Sequence, residues 1–263
     1  MGDKRLRQIF DEDAELYDRA RPGYPPPLFA DLAALAGTGP GCQVLELGCG
    51  TGCATVPLAE QGCVVTAVEL GANMANVARR NLRHFPAVRV EIAAFEEWPL
   101  PREPFDLVLS ATAFHWLDPD VRVTKSADAL RPGGALAVIS THHVAGGDEA
   151  FFAEIQACYE RWDPNTEPGF RSPRAADVPD GGAEIEQSGR FGPVTVRRYE
   201  WERTYPTSAY LDLLRTYSNH RALPPEALAG LLTCIRRLAD DRHGGQVRKA
   251  YLTELLVARS LER

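Results

Sequence analysis

Apolar positions along this chain gather into short runs separated by segments with a helical repeat. Val44, Leu45 and Leu47 make the first run, and residues 63–68, 88–92, 105–110 and 135–140 make four more. Runs of this length predict strands buried on both faces, as in a parallel sheet. Residues 54–60, 72–83 and 119–130 lie between or after them and read as helices, the last with Asp118 as cap and Pro119 in its first turn. Strand and helix in alternation predict an α/β, doubly wound sheet.

Upstream, Leu6, Ile9, Phe10, Ala14 and Tyr17 recur at helical spacing over 6–17. The prolines of Y-D-R-A-R-P-G-Y-P-P-P, residues 17–27, stop that helix, and Pro26 or Pro27 starts another that carries Leu28, Phe29, Leu32, Ala33 and Leu35. Downstream, R-P-G-G at 131–134 is a turn into the fifth strand, which ends at Thr141, His142 and His143. A helix over 148–162 shows Phe151, Phe152, Ile155 and Tyr159 on its apolar stripe. Residues 163–182 are rich in Pro, Gly, Arg and Asp and read as an irregular loop, either a substrate loop lined by Trp162, Phe170 and Arg171 or a plain surface insertion. Residues 194–205 alternate like a half-exposed strand, 207–217 and 224–240 read as helices, and 249–259 as a last strand. The two late strands fit an antiparallel hairpin at one sheet edge.

Composition narrows the partners. The chain has 263 residues and a formal net charge of −7, with a pI near 5.5. An acidic chain of this kind argues against nucleic acid as a partner. No stretch is long enough for a membrane span, and the charged N-terminus lacks the apolar core of a signal peptide. Leu6 stands where a myristoylation motif needs Ser or Thr. A cytoplasmic location is expected. Among the six cysteines no pair is spaced C-x-x-C, and Cys42, Cys49, Cys53 and Cys63 crowd one strand-helix unit. That pattern predicts reduced cysteines rather than a disulfide framework or a zinc site. His142 and His143 alternate faces in an extended chain, so no shared metal is expected.

The first apolar run continues as V-L-E-L-G-C-G-T-G, residues 44–52. Strand, glycine loop and helix are the parts of a nucleotide site. The dinucleotide fingerprint G-x-G-x-x-G fails here, because Cys53 occupies its third glycine position. The spacing is instead E-x-G-x-G-x-G, starting at Glu46. An acidic residue ahead of the glycines suits a ligand with a positive group. S-adenosylmethionine carries an ammonium and a sulfonium and no phosphate.

In this stretch the chain resembles the class I S-adenosylmethionine-dependent methyltransferases. Over Y-x-x-x-R-P-x-Y-P, residues 17–25, it is similar to the small-molecule type that includes trans-aconitate methyltransferase. The resemblance implies a Rossmann-like, seven-stranded sheet with an antiparallel C-terminal edge hairpin and helical lid elements. It divides a single structural domain into a lid at 1–38, a cofactor-binding core at 39–145, and a C-terminal part at 146–263. It also implies a cofactor, S-adenosyl-L-methionine, released as S-adenosyl-L-homocysteine. Glu46, Gly48, Gly50 and Gly52 would cradle it, and Glu69, about twenty residues past the glycines, would take its ribose hydroxyls. Leu70 and Met74 follow, Met74 either on the adenine face or in the core. Phe95 and Glu96 would flank the adenine, although Ala94 replaces the usual Asp. Ala111, ending the fourth strand, would lie beside the methyl donor. Tyr17 and Arg21 would close over the cofactor, with Tyr24, Trp116, His142 and His143 toward the substrate; the plain alternative for 17–27 is a linker. His115 is either the residue that takes a proton from the acceptor or a structural histidine.

Methyl transfer needs no nucleophilic side chain, and neither G-x-S-x-G nor H-E-x-x-H occurs. The expected reaction is O-methylation of a carboxylate or hydroxyl on a small molecule, by a monomer or homodimer. Competing readings are a non-catalytic S-adenosylmethionine-binding protein and an NAD-dependent oxidoreductase.

Overall fold

The structure, a computed structural model that describes residues 9–261, has seven strands: β1 (Gln43–Leu47), β2 (Val64–Glu69), β3 (Val88–Ile92), β4 (Phe105–Ala111), β5 (Leu130–Gly147), β6 (Thr195–Pro206) and β7 (Gln246–Arg259). They form one sheet in the order β3-β2-β1-β4-β5-β7-β6. The first five are parallel and in register, Val44 beside both Val65 and Leu107, and the C-terminal strands run antiparallel, as expected.

Compactness divides the described residues into two units. A sheet unit comprises Gly23–Thr141, Pro179–Tyr199 and Thr253–Arg263. A helical unit comprises Met1–Pro22, His142–Val178 and Glu200–Leu252. The strands β5, β6 and β7 each run from one unit into the other.

In the sheet unit, alternation along each buried strand feeds two cores. Val44, Val65, Leu107 and Ile139 pack with Leu28 and Leu32 of α2 (Pro26–Ala36). Leu45, Leu47, Val68, Val108 and Leu136 pack on the other side with Phe95, Trp98 and Val123. Within the helical unit, α6 (Glu149–Trp162), α8 (Thr207–Arg215) and α10 (Pro225–Arg242) share a third core around Phe151, Ile155, Leu211, Leu231 and Tyr251.

Several expectations shift. The apolar spacing predicts the first helix over 6–17, and Leu6 lies outside the described residues. A 3-10 turn at Ile9–Asp13 comes first, and α1 runs from Ala14 to Ala20 because the Asp13 side chain accepts the Leu16 N–H at 3.0 Å. The fifth strand is longer than 135–140: the R-P-G-G segment is absorbed with Gly133 at φ +72°, and His142 and His143 stand inside the strand, not at its end. A short helix, α7 (Ala183–Gln187), had no predicted counterpart. The cysteine reading is corrected as well. Cys158 of α6 and Cys234 of α10 form a disulfide with Cα atoms 5.8 Å apart, because the two helices pack side by side in one core. The four clustered cysteines form no disulfide among the described residues. No helix among the described residues is long and apolar enough to cross a membrane.

Candidate functional site

The sheet unit builds a cradle where β1 ends. Gly48 takes φ +69°, and its N–H donates to Val68 O at 2.8 Å. A Cβ there would meet the Ala113 Cβ at 2.6 Å, so both conformation and space exclude a side chain. Thr112, just after β4, holds a rare positive φ of 56°, and its hydroxyl shares a 3.0 Å hydrogen bond with the Tyr24 hydroxyl. Glu69, at the end of β2, turns its carboxylate back to the loop. It accepts from the Gly50 N–H at 2.9 Å and the Gly71 N–H at 2.8 Å. Asn81 closes the far side of the loop by donating to Thr51 O at 3.0 Å.

Beneath this cradle Glu46 is 1% exposed, and its Oε2 has no hydrogen-bond partner among the described residues. Burial pushes its carboxyl up to about 7; the Thr55 hydroxyl opposes that rise and the Glu69 carboxylate adds to it. A buried carboxylate oxygen left bare is costly unless something brings it a positive partner. Cys49 is also buried, and desolvation raises its thiol well above the ordinary range, so it stays protonated.

The structure brings Glu46, Gly48, Gly50, Gly52 and Glu69 together, with Leu70 half-buried at the rim and Ala111 half-buried at the end of β4. Met74 is buried in α4 (Ala72–Asn81). Phe95 is 2% exposed and packs in the core, with the Lys125 ammonium 5.2 Å from its ring centroid. The Glu96 carboxylate accepts the Asp118 N–H at 3.0 Å, at the start of α5 (Pro119–Ala129). His115 is exposed on a 3-10 turn, Phe114–Trp116, with its ring 4.9 Å from that of half-buried Trp116.

The other expected residues lie in the helical unit. The Arg21 guanidinium sits over two rings, Tyr17 at 5.0 Å and Tyr217 at 4.7 Å, and donates to Thr216 O at 3.0 Å. His143 lies 5.1 Å from Tyr217 and 5.9 Å from Tyr251, and His142 is half-buried. Lys249 and Tyr251 share one face of β7, and the Lys249 Nζ lies over Phe152 at 4.9 Å and Tyr251 at 5.4 Å. Sequence reasoning named neither Lys249 nor Tyr251. A lysine two places from a tyrosine in a predicted strand is an ordinary half-exposed pattern, and only the packing shows that it is buried.

Comparison with known proteins gives the architecture a family. Residues 44–134 match a family model described as a methyltransferase domain. An uncharacterized methyltransferase of Mycobacterium tuberculosis is 39% identical over 123 residues, 47% of this chain and 48% of the relative. The chain spans about half the length of this and other first relatives it matches. An uncharacterized methyltransferase of Geobacillus thermodenitrificans is 33% identical over 167 residues, 60% of this chain and 76% of the relative. The trans-aconitate 2-methyltransferase of Deinococcus radiodurans is 37% identical over 109 residues, 41% of each chain. Among solved structures, a candidate type II methyltransferase from Anaeromyxobacter dehalogenans aligns with a TM-score of 0.59 at 26% identity, covering 92% of this chain and 99% of that one. With the glycine cradle at β1 and this extent of likeness, the chain belongs to the methyltransferase family.

Proposed function

We propose that this chain is an S-adenosylmethionine-dependent methyltransferase that methylates an oxygen, carboxylate or hydroxyl, of a small molecule. The observation that carries the cofactor is the cradle at β1: a buried carboxylate oxygen with no partner lies under a loop that excludes a side chain at Gly48. That arrangement fits a ligand that brings positive charge and approaches the backbone closely, and it fits a pyrophosphate poorly. Glu69 already orders the loop through two amide N–H groups, and a carboxylate has lone pairs left for ribose hydroxyls.

When bound, S-adenosylmethionine supplies an activated methyl group and its own leaving group. The protein's work is then to bind, align and exclude water. Glu69 provides negative charge, Glu46 a buried carboxyl that a positive group would ionise, and Thr112 and Tyr24 fix the end of β4 by their shared hydrogen bond. An acid as acceptor is supported by the likeness to the trans-aconitate 2-methyltransferase of Deinococcus radiodurans.

Calorimetric titration with S-adenosylhomocysteine, and separately with NAD, tests the cofactor. Micromolar binding of the first and none of the second is expected; the reverse would overturn the reading of the loop. Labelled methyl transfer to a panel of organic acids and phenols then tests the reaction.

A further inference from the structure

The helical unit contains positive charge that no described residue neutralises. Lys249 is 6% exposed and, among the described residues, makes no ion pair and no hydrogen bond; its neighbours are the faces of Phe152 and Tyr251. Arg21 is half-buried, and its Nε is buried without a hydrogen-bond partner. It forms no ion pair among the described residues, only the bond to Thr216 O and the two ring contacts. The Tyr217 hydroxyl is a third buried donor without a partner. The chain has 36 acidic residues against 29 basic ones, yet no acidic side chain among the described residues pairs with either cation. An uncompensated buried cation is among the costlier features a fold can carry.

The three groups share one neighbourhood. His143 stands between the Tyr217 and Tyr251 rings, which in turn carry Arg21 and Lys249. Burial, then the charges of Lys249 and Arg21, lower the His143 pKa to about 3, so its ring is neutral at working pH. Its surface is nonetheless exposed. Burial also lowers Lys249, to about 8, so it stays largely protonated near pH 7.

We infer that Lys249 and Arg21 hold the carboxylates of an anionic small molecule in the helical unit, with the Tyr217 hydroxyl as an added donor. On the reading above, that molecule is the methyl acceptor. Two cations in one neighbourhood suit a di- or tricarboxylate better than a monoacid, and the Arg21 guanidinium matches a carboxylate's geometry.

The experiment is calorimetric binding of succinate, citrate and trans-aconitate to the whole chain, with inorganic phosphate and a neutral triester of citrate as further arms. A di- or tricarboxylate should bind and the triester should not. Lys249→Met and Arg21→Gln should each weaken that binding at least tenfold, while S-adenosylhomocysteine affinity in Lys249→Met stays within about twofold and reports an intact fold. Failure of every carboxylate to bind at millimolar concentration, phosphate binding tighter than any of them, or carboxylate binding kept by both variants would overturn the inference. If carboxylates bind as stated and S-adenosylhomocysteine does not, the cofactor reading falls and the anion site stands.

Discussion

Among the described residues, the sheet unit buries a carboxylate, Glu46, without a cation, and the helical unit buries an ammonium, Lys249, without a carboxylate. Each side chain is almost fully enclosed, and each has a pKa moved by burial toward its neutral form, Glu46 up to about 7 and Lys249 down to about 8. Folding alone would not favour either, since a buried group of this kind is normally paired. What differs is the surrounding backbone. Around Glu46 it is glycine-rich and held by amide hydrogen bonds to Glu69, suited to a ligand pressed against the main chain. Around Lys249 it is regular strand faced with aromatic rings, suited to a ligand recognised by charge. The proposed cofactor and the proposed anionic molecule would supply the missing counter-charges.

The largest effect that bears on this contrast is at the cradle. Gly48→Val combines a φ of +69° with a 2.6 Å clash against Ala113. Strain and overpacking are each worth about 1–3 kcal/mol, so S-adenosylhomocysteine binding should fall by roughly thirtyfold or more. Carboxylate binding in the helical unit should change far less. Equal loss of both ligands in calorimetry would dissolve the distinction between the units.

Glu69→Ala comes next. It removes the acceptor for the Gly50 and Gly71 N–H groups and the expected ribose contact together. Hydrogen bonds to a charged group contribute about 1.5–3 kcal/mol, so affinity for S-adenosylhomocysteine should drop at least tenfold. Glu69→Gln keeps one acceptor oxygen and should fall between. Unchanged affinity in the alanine variant would remove Glu69 from the site.

Much of the sheet unit was legible before the structure, because its signals are local. Val44–Leu47 type runs mark buried strands, and a glycine loop after one of them marks a cradle; the first four parallel strands stand within a residue or so of where the runs place them. The helical unit was less legible, because its meaning is made by packing. The Cys158–Cys234 disulfide joins residues 76 apart in sequence, with no local motif to announce it. T-H-H-V-A-G-G looks like the frayed end of a strand, yet β5 continues through it to Gly147. Lys249 reads as a surface lysine until Phe152 and Tyr251 are seen beside it. Phe95 shows the opposite confusion: its place in the chain suggests a ring beside the ligand, and the fold encloses it in the core.

The smallest effect is on stability, and its sign separates the two buried charges. Between pH 4.5 and about 7 the unfolded chain has lost the Glu46 proton while the folded chain keeps it, so this group lowers stability as pH rises through that window. Lys249 works in reverse. Below about 8 both states are protonated and the folded one carries the full burial cost; as pH rises from 8 toward 10.5 the folded state sheds the proton first and the cost disappears. Each shift corresponds to roughly 3 kcal/mol at most, and water penetration and local relaxation reduce what is realised. Glu46→Gln should therefore stabilise the ligand-free protein by about 1 kcal/mol at pH 8 and by nothing at pH 4. Lys249→Met should stabilise it by about 1–2 kcal/mol at pH 7, with the gain shrinking above pH 9. Thermal unfolding of both variants across pH measures this directly. A buried charge kept for folding would give the opposite result, since its removal would lower the melting temperature at every pH. A gain in stability together with a loss of ligand binding identifies a charge held in place for the ligand.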